Sequence, residues 1–289
     1  MRRRFRILSR SIAAAGLVTG LAMFAGLSAP TSAAALPRIA SMNVCTDQLL
    51  LSLADPEQIL GLSRYARDAW QSWSAGDARR YASLSGGAED VLVLKPDVVV
   101  ASSFDKRATR ELLKAQGLRV AEFSVPRNLD EVKAQIRQMG DIASHPDRAS
   151  AEIARLDAAM ARARQAVSEK HISVLPLSRR GWVSGRDSLV SALLAETGLF
   201  NAAETLGVGS GGFVSLEQIV QARPDFLLVS EGGDRAEDEG RAFLLHPALE
   251  RLYPPSKRLV IPERLTVCGG VMQADALDVL VKELQRVSR

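Results

Sequence analysis

Histidine, cysteine and aromatic residues are scarce in this 289-residue chain: three histidines, two cysteines and 5% aromatics. The histidines, His145, His171 and His246, stand far apart, and none has a second His, Asp or Glu at a spacing that reads as a zinc or manganese site. Two cysteines are too few for a disulfide-built scaffold. After Leu27 no long apolar run returns, which leaves nothing that reads as a membrane-spanning helix. No GxSxG elbow is present, and no Ser, His and Asp set presents itself. The Gly207–Gly212 run spells GxGxxG, yet no apolar strand precedes it, so it is expected to be a loop.

An excess of one charge is also missing, once the leader is set aside. Arg2, Arg3, Arg4, Arg6 and Arg10 precede an apolar stretch from Ile12 to Leu27 that ends near Ala33-Ala34-Ala35. That is the pattern of a secretory signal peptide over 1–35. Arg2-Arg3-Arg4-Phe5 leaves both general and twin-arginine export open. Neither cysteine lies at the cleavage site, which disfavours a lipid anchor. Removing five of 37 basic residues leaves 32 against 33 acidic ones, a charge of −1 on the remaining 254 residues. The high overall isoelectric point therefore belongs to the leader, and composition gives no case for binding nucleic acid.

What the chain does have is an internal repeat. Glu89 to Ser102 overlays Glu217 to Ser230 at an offset of 128 residues. Each copy reads as a short helix, a basic-Pro-Asp stop and an apolar run of strand length. Continuous apolar strands are those of parallel sheets covered on both faces. The expected fold is therefore α/β, with two doubly wound lobes whose strands lie parallel. Strands are expected at Arg38–Asn43, Gln58–Leu62, Val120–Ser124, Ile172–Leu175, Trp182–Ser184 and Arg258–Ile261. Helices are expected at Asp47–Ala54, Arg107–Gln116, Ser188–Thr197 and Ala274–Arg286. Between the halves, 146–170 opens with proline and spaces Ala149, Ile153, Leu156, Met160, Ala163 and Val167 as one apolar stripe. A single helix of up to 25 residues, about 37 Å long, would act as a stiff strut between lobes at 36–145 and 171–289.

Ligands of such sheets sit beyond the carboxyl ends of the strands. The loops there hold Arg64, Tyr65, Trp70 and Trp73 in the first half, and Arg180 and Trp182 in the second. Rings and guanidiniums suit a large, flat, partly anionic ligand, although any of the tryptophans could equally cover core. Cys45 and Cys268 also fall in such loops, and a cross-lobe disulfide and two free buried thiols both remain open.

The order of Arg38-Ile39-Ala40-Ser41-Met42-Asn43, the Glu89–Ser102 block, the long helix, Ser184-Gly185-Arg186-Asp187-Ser188-Leu189 and Val214-Ser215-Leu216-Glu217-Gln218 resembles the helical-backbone class of periplasmic binding proteins. These serve importers of ferric siderophores, haem and vitamin B12, and the resemblance covers 36–289. It implies a monomeric, non-enzymatic periplasmic protein without a resident cofactor. Its ligand would be an iron-siderophore or corrinoid chelate, passed to the membrane permease of an ABC importer. It also implies that Glu89 and Glu217 meet arginines of the permease, although a first-turn glutamate can simply complement the helix dipole. Haem is a weaker expectation, because no histidine is placed as an axial ligand and Tyr65 would stand alone. A two-lobed enzyme, or a sensor without an importer, remains the alternative.

Overall fold

The computed structural model describes residues 35–167, 171–230 and 243–288. The expected signal segment lies outside the described residues except for Ala35, as does Glu231–Gly233, the stretch that follows the second copy of the repeat and by its position would be a cleft loop. Residues Leu36–Arg289 cluster as one unit. No described helix is long and apolar enough to cross a membrane.

The first lobe is built on five parallel strands: β1 (Ile39–Ser41), β2 (Ile59–Ser63), β3 (Ser83–Leu84), β4 (Val98–Ser102) and β5 (Arg119–Phe123), in the order β3-β2-β1-β4-β5. Helices α1 (Val44–Leu53), α2 (Ala88–Leu94), α3 (Arg107–Ala115) and α4 (Leu129–Ala143) cover it. Because the sheet is covered on both faces, every residue of β4 is buried, which is why the strand reads as a continuous apolar run. Each buried valine there contributes roughly 1.5–3 kcal/mol of burial.

The second lobe repeats the plan with β6 (Ser173–Pro176), β8 (Phe200–Asn201), β10 (Phe226–Val229) and β11 (Arg258–Val260), parallel in the order β11-β10-β6-β8. Its helices are α6 (Leu189–Thr197), α7 (Leu216–Ala222), α8 (Pro247–Leu252) and α9 (Gln273–Val287). Strands β7 (Trp182–Ser184) and β9 (Gly211–Phe213) instead form a separate antiparallel pair. The repeat extends to individual hydrogen bonds. Lys95 ends α2 and Arg223 ends α7, both in left-handed conformation at φ 49° and 47°, and each is followed by Pro-Asp. The Asp97 carboxylate accepts from the Arg38 amide at 2.7 Å, and the Asp225 carboxylate accepts from the Ser173 amide at 2.7 Å. Each aspartate thus pins the start of the neighbouring central strand, β1 or β6.

Helix α5 (Pro146–Ala166) joins the halves. It is shorter than the sequence stripe suggests: the backbone turns extended at Val167, and 168–170 lie outside the described residues. Its 21 residues span about 31 Å. Nor is it the sole connection. Along α9 and just before it, Val271, Ala274 and Leu277 enter the first lobe's core, while Met272, Ala276, Leu280 and Leu284 enter the second lobe's. Two faces of one helix separated by the helical repeat make this possible. Arg155 binds Asp275 at 3.1 Å and the Val271 carbonyl at 2.6 Å, and Arg162 grips both oxygens of Asp278, so α5 and α9 are also tied by charge.

Candidate functional site

Cys45 stands in the first turn of α1, not in the loop its place after β1 suggests, and Cys268 stands in the segment after β11. They are bonded, with their Cα atoms 5.3 Å apart across 223 residues of sequence. That bond ties the carboxyl end of the first sheet, through the start of α1, to the segment that follows β11 at the carboxyl end of the second. Around it the Val44 and Cys45 side chains pack into the second lobe's core beside Cys268 and Met272.

On the first-lobe side, the floor is a network around one buried and one half-buried carboxylate. Asp47, wholly buried on α1, accepts from the Ser63 amide at 3.0 Å and the Ser63 hydroxyl at 2.5 Å. Removal from water pushes its carboxyl up to about 7, against the lowering effect of hydrogen bonds from Ser41 and Ser63. Asn43 caps α1 through its side-chain oxygen and donates to Asp105 at 3.2 Å. Asp105 also accepts from the Ser102 amide at 2.7 Å, and its carboxyl is raised mainly by burial. These bonds hold the loops after β1, β2 and β4 in register with one another.

Above that floor stand the exposed groups. Tyr65 lies in the 3-10 turn Arg64–Arg67 directly after β2. The Arg64 guanidinium sits 4.7 Å from its ring centroid and donates to the phenol oxygen at 2.6 Å. Trp70 is exposed in the same loop. Trp73 is placed differently: its amide donates to the buried Gln48 side chain at 2.8 Å, and its ring packs against the cores of both lobes. It fills the seam between lobes, the covering role its loop position allowed. Phe104, 80% exposed in the loop after β4, is a further aromatic at the carboxyl ends of these strands.

On the second-lobe side, Arg180 occupies a left-handed position (φ 59°) in the turn Arg179–Gly181 that leads into β7. Trp182 meets Phe213 edge to face, centroids 5.1 Å apart and planes at 75°. The glycine run expected as a loop is in part strand β9, and its glycines have a packing reason. A Cβ on Gly211 would come within 2.5 Å of the Trp182 ring, so only glycine lets the indole lie on that backbone. Phe213, the residue after this run, closes β9, and nothing in a loop expectation singles it out. A hollow of about 260 Å³ lies beneath, at the carboxyl ends of β6 and β10, with Trp182, Ser178, Ser184, Ser230 and Glu263 among its walls. A larger hollow of about 1190 Å³ opens at the opposite ends of these strands, near Ile172, Asp225 and Lys257. The smaller one is the candidate site, because it lies where ligands of doubly wound sheets bind.

Among the described residues no group of three or more His, Cys, Asp or Glu could hold a metal ion. His145 is paired with Asp55 at 3.2 Å, and the His246 ring nitrogen caps α8 by accepting from the Ala248 amide. Glu89 and Glu217 occupy equivalent exposed places in the first turns of α2 and α7. Ser215 and Gln218 form the capping box of α7 by themselves. A hydrogen bond from Ser215, with His246 nearby, holds the Glu217 carboxyl below its usual range. Asp90, not Glu89, takes the Ser85 amide ahead of α2.

Comparison with known proteins gives a consistent picture. The profile of a family described as periplasmic binding protein matches residues 39–254. A cobalamin-binding protein of Halobacterium salinarum is 23% identical over 224 residues, covering 74% of this chain. The match spans only 59% of that relative's length. Among solved structures, a periplasmic haem-binding protein from Roseiflexus sp. RS-1 shares 23% identity with a TM-score of 0.70, over 88% of this chain and all of the other. The periplasmic vitamin B12-binding protein of Vibrio cholerae shares 17% with a TM-score of 0.66, over 88% and 98%. At these identities the structures establish a shared fold.

Proposed function

Since the chain belongs to the periplasmic binding protein family, we propose that it captures an iron-siderophore or corrinoid chelate in the periplasm and delivers it to the permease of an ABC importer. The observation that carries this reading is the meeting of two parallel sheets at their carboxyl ends, with exposed Tyr65 and Trp70 on one rim and the Trp182–Phe213 pair on the other. Flat aromatic faces and the Arg64 and Arg180 guanidiniums suit a broad ligand that is partly apolar and partly anionic. The relatives point the same way, since those named bind cobalamin, haem or vitamin B12. Trp73 contributes by holding the seam on which both rims rest.

Tryptophan fluorescence of the protein without its signal segment tests this. Titration with cyanocobalamin, a ferric hydroxamate, a ferric catecholate and haemin, corrected for ligand absorbance, should give saturable quenching by one of them. Absence of binding by all four, checked by calorimetry, would remove the reading.

One observation favours haem as a second reading. Arg64 donates to the Tyr65 phenol oxygen, and an oxygen donor beside a cation suits a ferric ion. Haemin bound through Tyr65 would change its visible spectrum in Tyr65→Phe, whereas a chelate that only stacks on the ring would bind that variant almost unchanged.

Delivery is assigned to Glu89 and Glu217, one on each lobe, at positions related by the internal repeat. Two equivalent carboxylates suit a partner with matching pseudo-twofold arginine sites, and such charge pairs set orientation and encounter rate. Glu89→Lys with Glu217→Lys should abolish uptake in cells while leaving ligand affinity intact; uptake that survives would remove the docking role.

A further inference from the structure

The hollow under Trp182 does not end at the polar rim. A second, apolar cavity of about 60 Å³ adjoins it between α6 and α9, and the two share Val190, Leu228, Ile261 and Thr266 as common walls. Beyond that shared boundary the walls are aliphatic: Leu193 on one side, Ala276 and Leu280 on the other. Its two polar side chains direct their donors elsewhere, Gln273 to the Leu265 and Cys268 carbonyls at 3.1 and 2.7 Å and Thr266 to the Glu263 carbonyl at 3.2 Å. A slot that offers water so little stays dry, and its lining forgoes dispersion contacts until something apolar enters.

Its size limits the occupant. A water molecule needs roughly 10–15 Å³ in this measure, so the slot holds about four to six such groups, a short branched alkyl chain of about four carbons. A segment of another protein is too wide to pass between two helices of one core. Along those shared walls the slot meets the ligand hollow, whose rim carries Ser178, Ser184, Ser230 and Glu263. We infer that this slot is a specificity subsite, which receives a short alkyl limb projecting from the chelate held at the cleft. The inference rests on the proposed capture of a chelate there. It narrows the ligand to an amphiphilic one: polar groups at the serine and glutamate rim, a stacking surface at Trp182, and a compact aliphatic branch pointing into the second lobe.

Xenon gas and the four coloured chelates test it together. In methyl-labelled protein, xenon should shift the resonances of Leu193, Ala276 and Leu280 saturably, and Ala276→Leu, which fills the slot, should abolish those shifts. The chelate that binds the native protein should lose affinity about tenfold or more in Ala276→Leu. Leu193→Ala keeps the fold under no added crowding, should retain the xenon response, and should weaken the same chelate about threefold or more. No xenon shift at these methyls in native protein overturns the inference. So does a chelate that binds Ala276→Leu and Leu193→Ala as tightly as the native chain, which leaves the cleft reading standing. Failure of all four chelates on native protein is a different result: it removes the cleft reading, and the subsite assignment with it.

Discussion

The two rims of the cleft are built by opposite physical means. The first-lobe rim is held by buried polar groups, with Asp47 and Asp105 tying Ser63, Ser102 and Asn43 into one network. The second-lobe rim is held by shape, with Trp182 seated on Gly211 and braced by Phe213 above the hollow that adjoins the apolar slot. Hydrogen-bonded networks fix one geometry because any shift leaves a buried group unpaired. Apolar seating tolerates change of volume more readily. In the proposed reading the first rim is the fixed wall of the cleft and the second the wall that matches a particular ligand.

The bond that joins the rims offers the largest effect. Cys45 and Cys268 close a loop of 223 residues, for which chain entropy gives about 5 kcal/mol of stabilisation. Replacing both by serine should lower unfolding free energy in urea by about that amount or somewhat less. A loss under about 1 kcal/mol would mean that α5 and α9 alone determine how the rims sit.

Next comes the fixed wall. The Asp47 carboxyl is raised from 3.8 to about 7, chiefly by burial, so the folded protein holds this proton more tightly than the unfolded chain. Its contribution is fully present below about pH 4 and is lost as pH rises through about 7, roughly 4 kcal/mol in all. Asp47→Asn mimics the protonated form. Relative to the native protein it should gain stability between pH 5 and pH 8 by chemical denaturation. Parallel pH profiles for the two would show that Asp47 ionises freely and that the wall is not a proton-holding network.

The matching wall carries the smallest effect on stability. Gly211→Ala pushes a methyl into the Trp182 ring and should cost about 1–3 kcal/mol, with a shift in tryptophan emission. Unchanged emission would place the indole elsewhere.

The same contrast explains what the sequence disclosed. Features determined by neighbouring residues were legible: the Pro-Asp stops at Asp97 and Asp225 and the apolar run of β4. Features that depend on distant partners were not. Nothing local shows that α9 serves two cores, that Trp73 lies in the seam, or that Cys45 meets Cys268. The sequence suggests a loop for the glycines of β9 because no apolar strand precedes them, and only the Trp182 ring explains why glycine is needed there. Helix α4 was overlooked, although Asn128 and Glu131 make a local start signal.

The central claim is that one ligand spans both rims. Isothermal titration calorimetry, with the chelate that quenches native tryptophan fluorescence, tests it through Tyr65→Ala, Trp182→Ala and the double variant. The account predicts a loss of about tenfold or more from each single change and a larger loss from both. Native affinity in the double variant would contradict it, and would place the ligand away from the meeting of the two sheets.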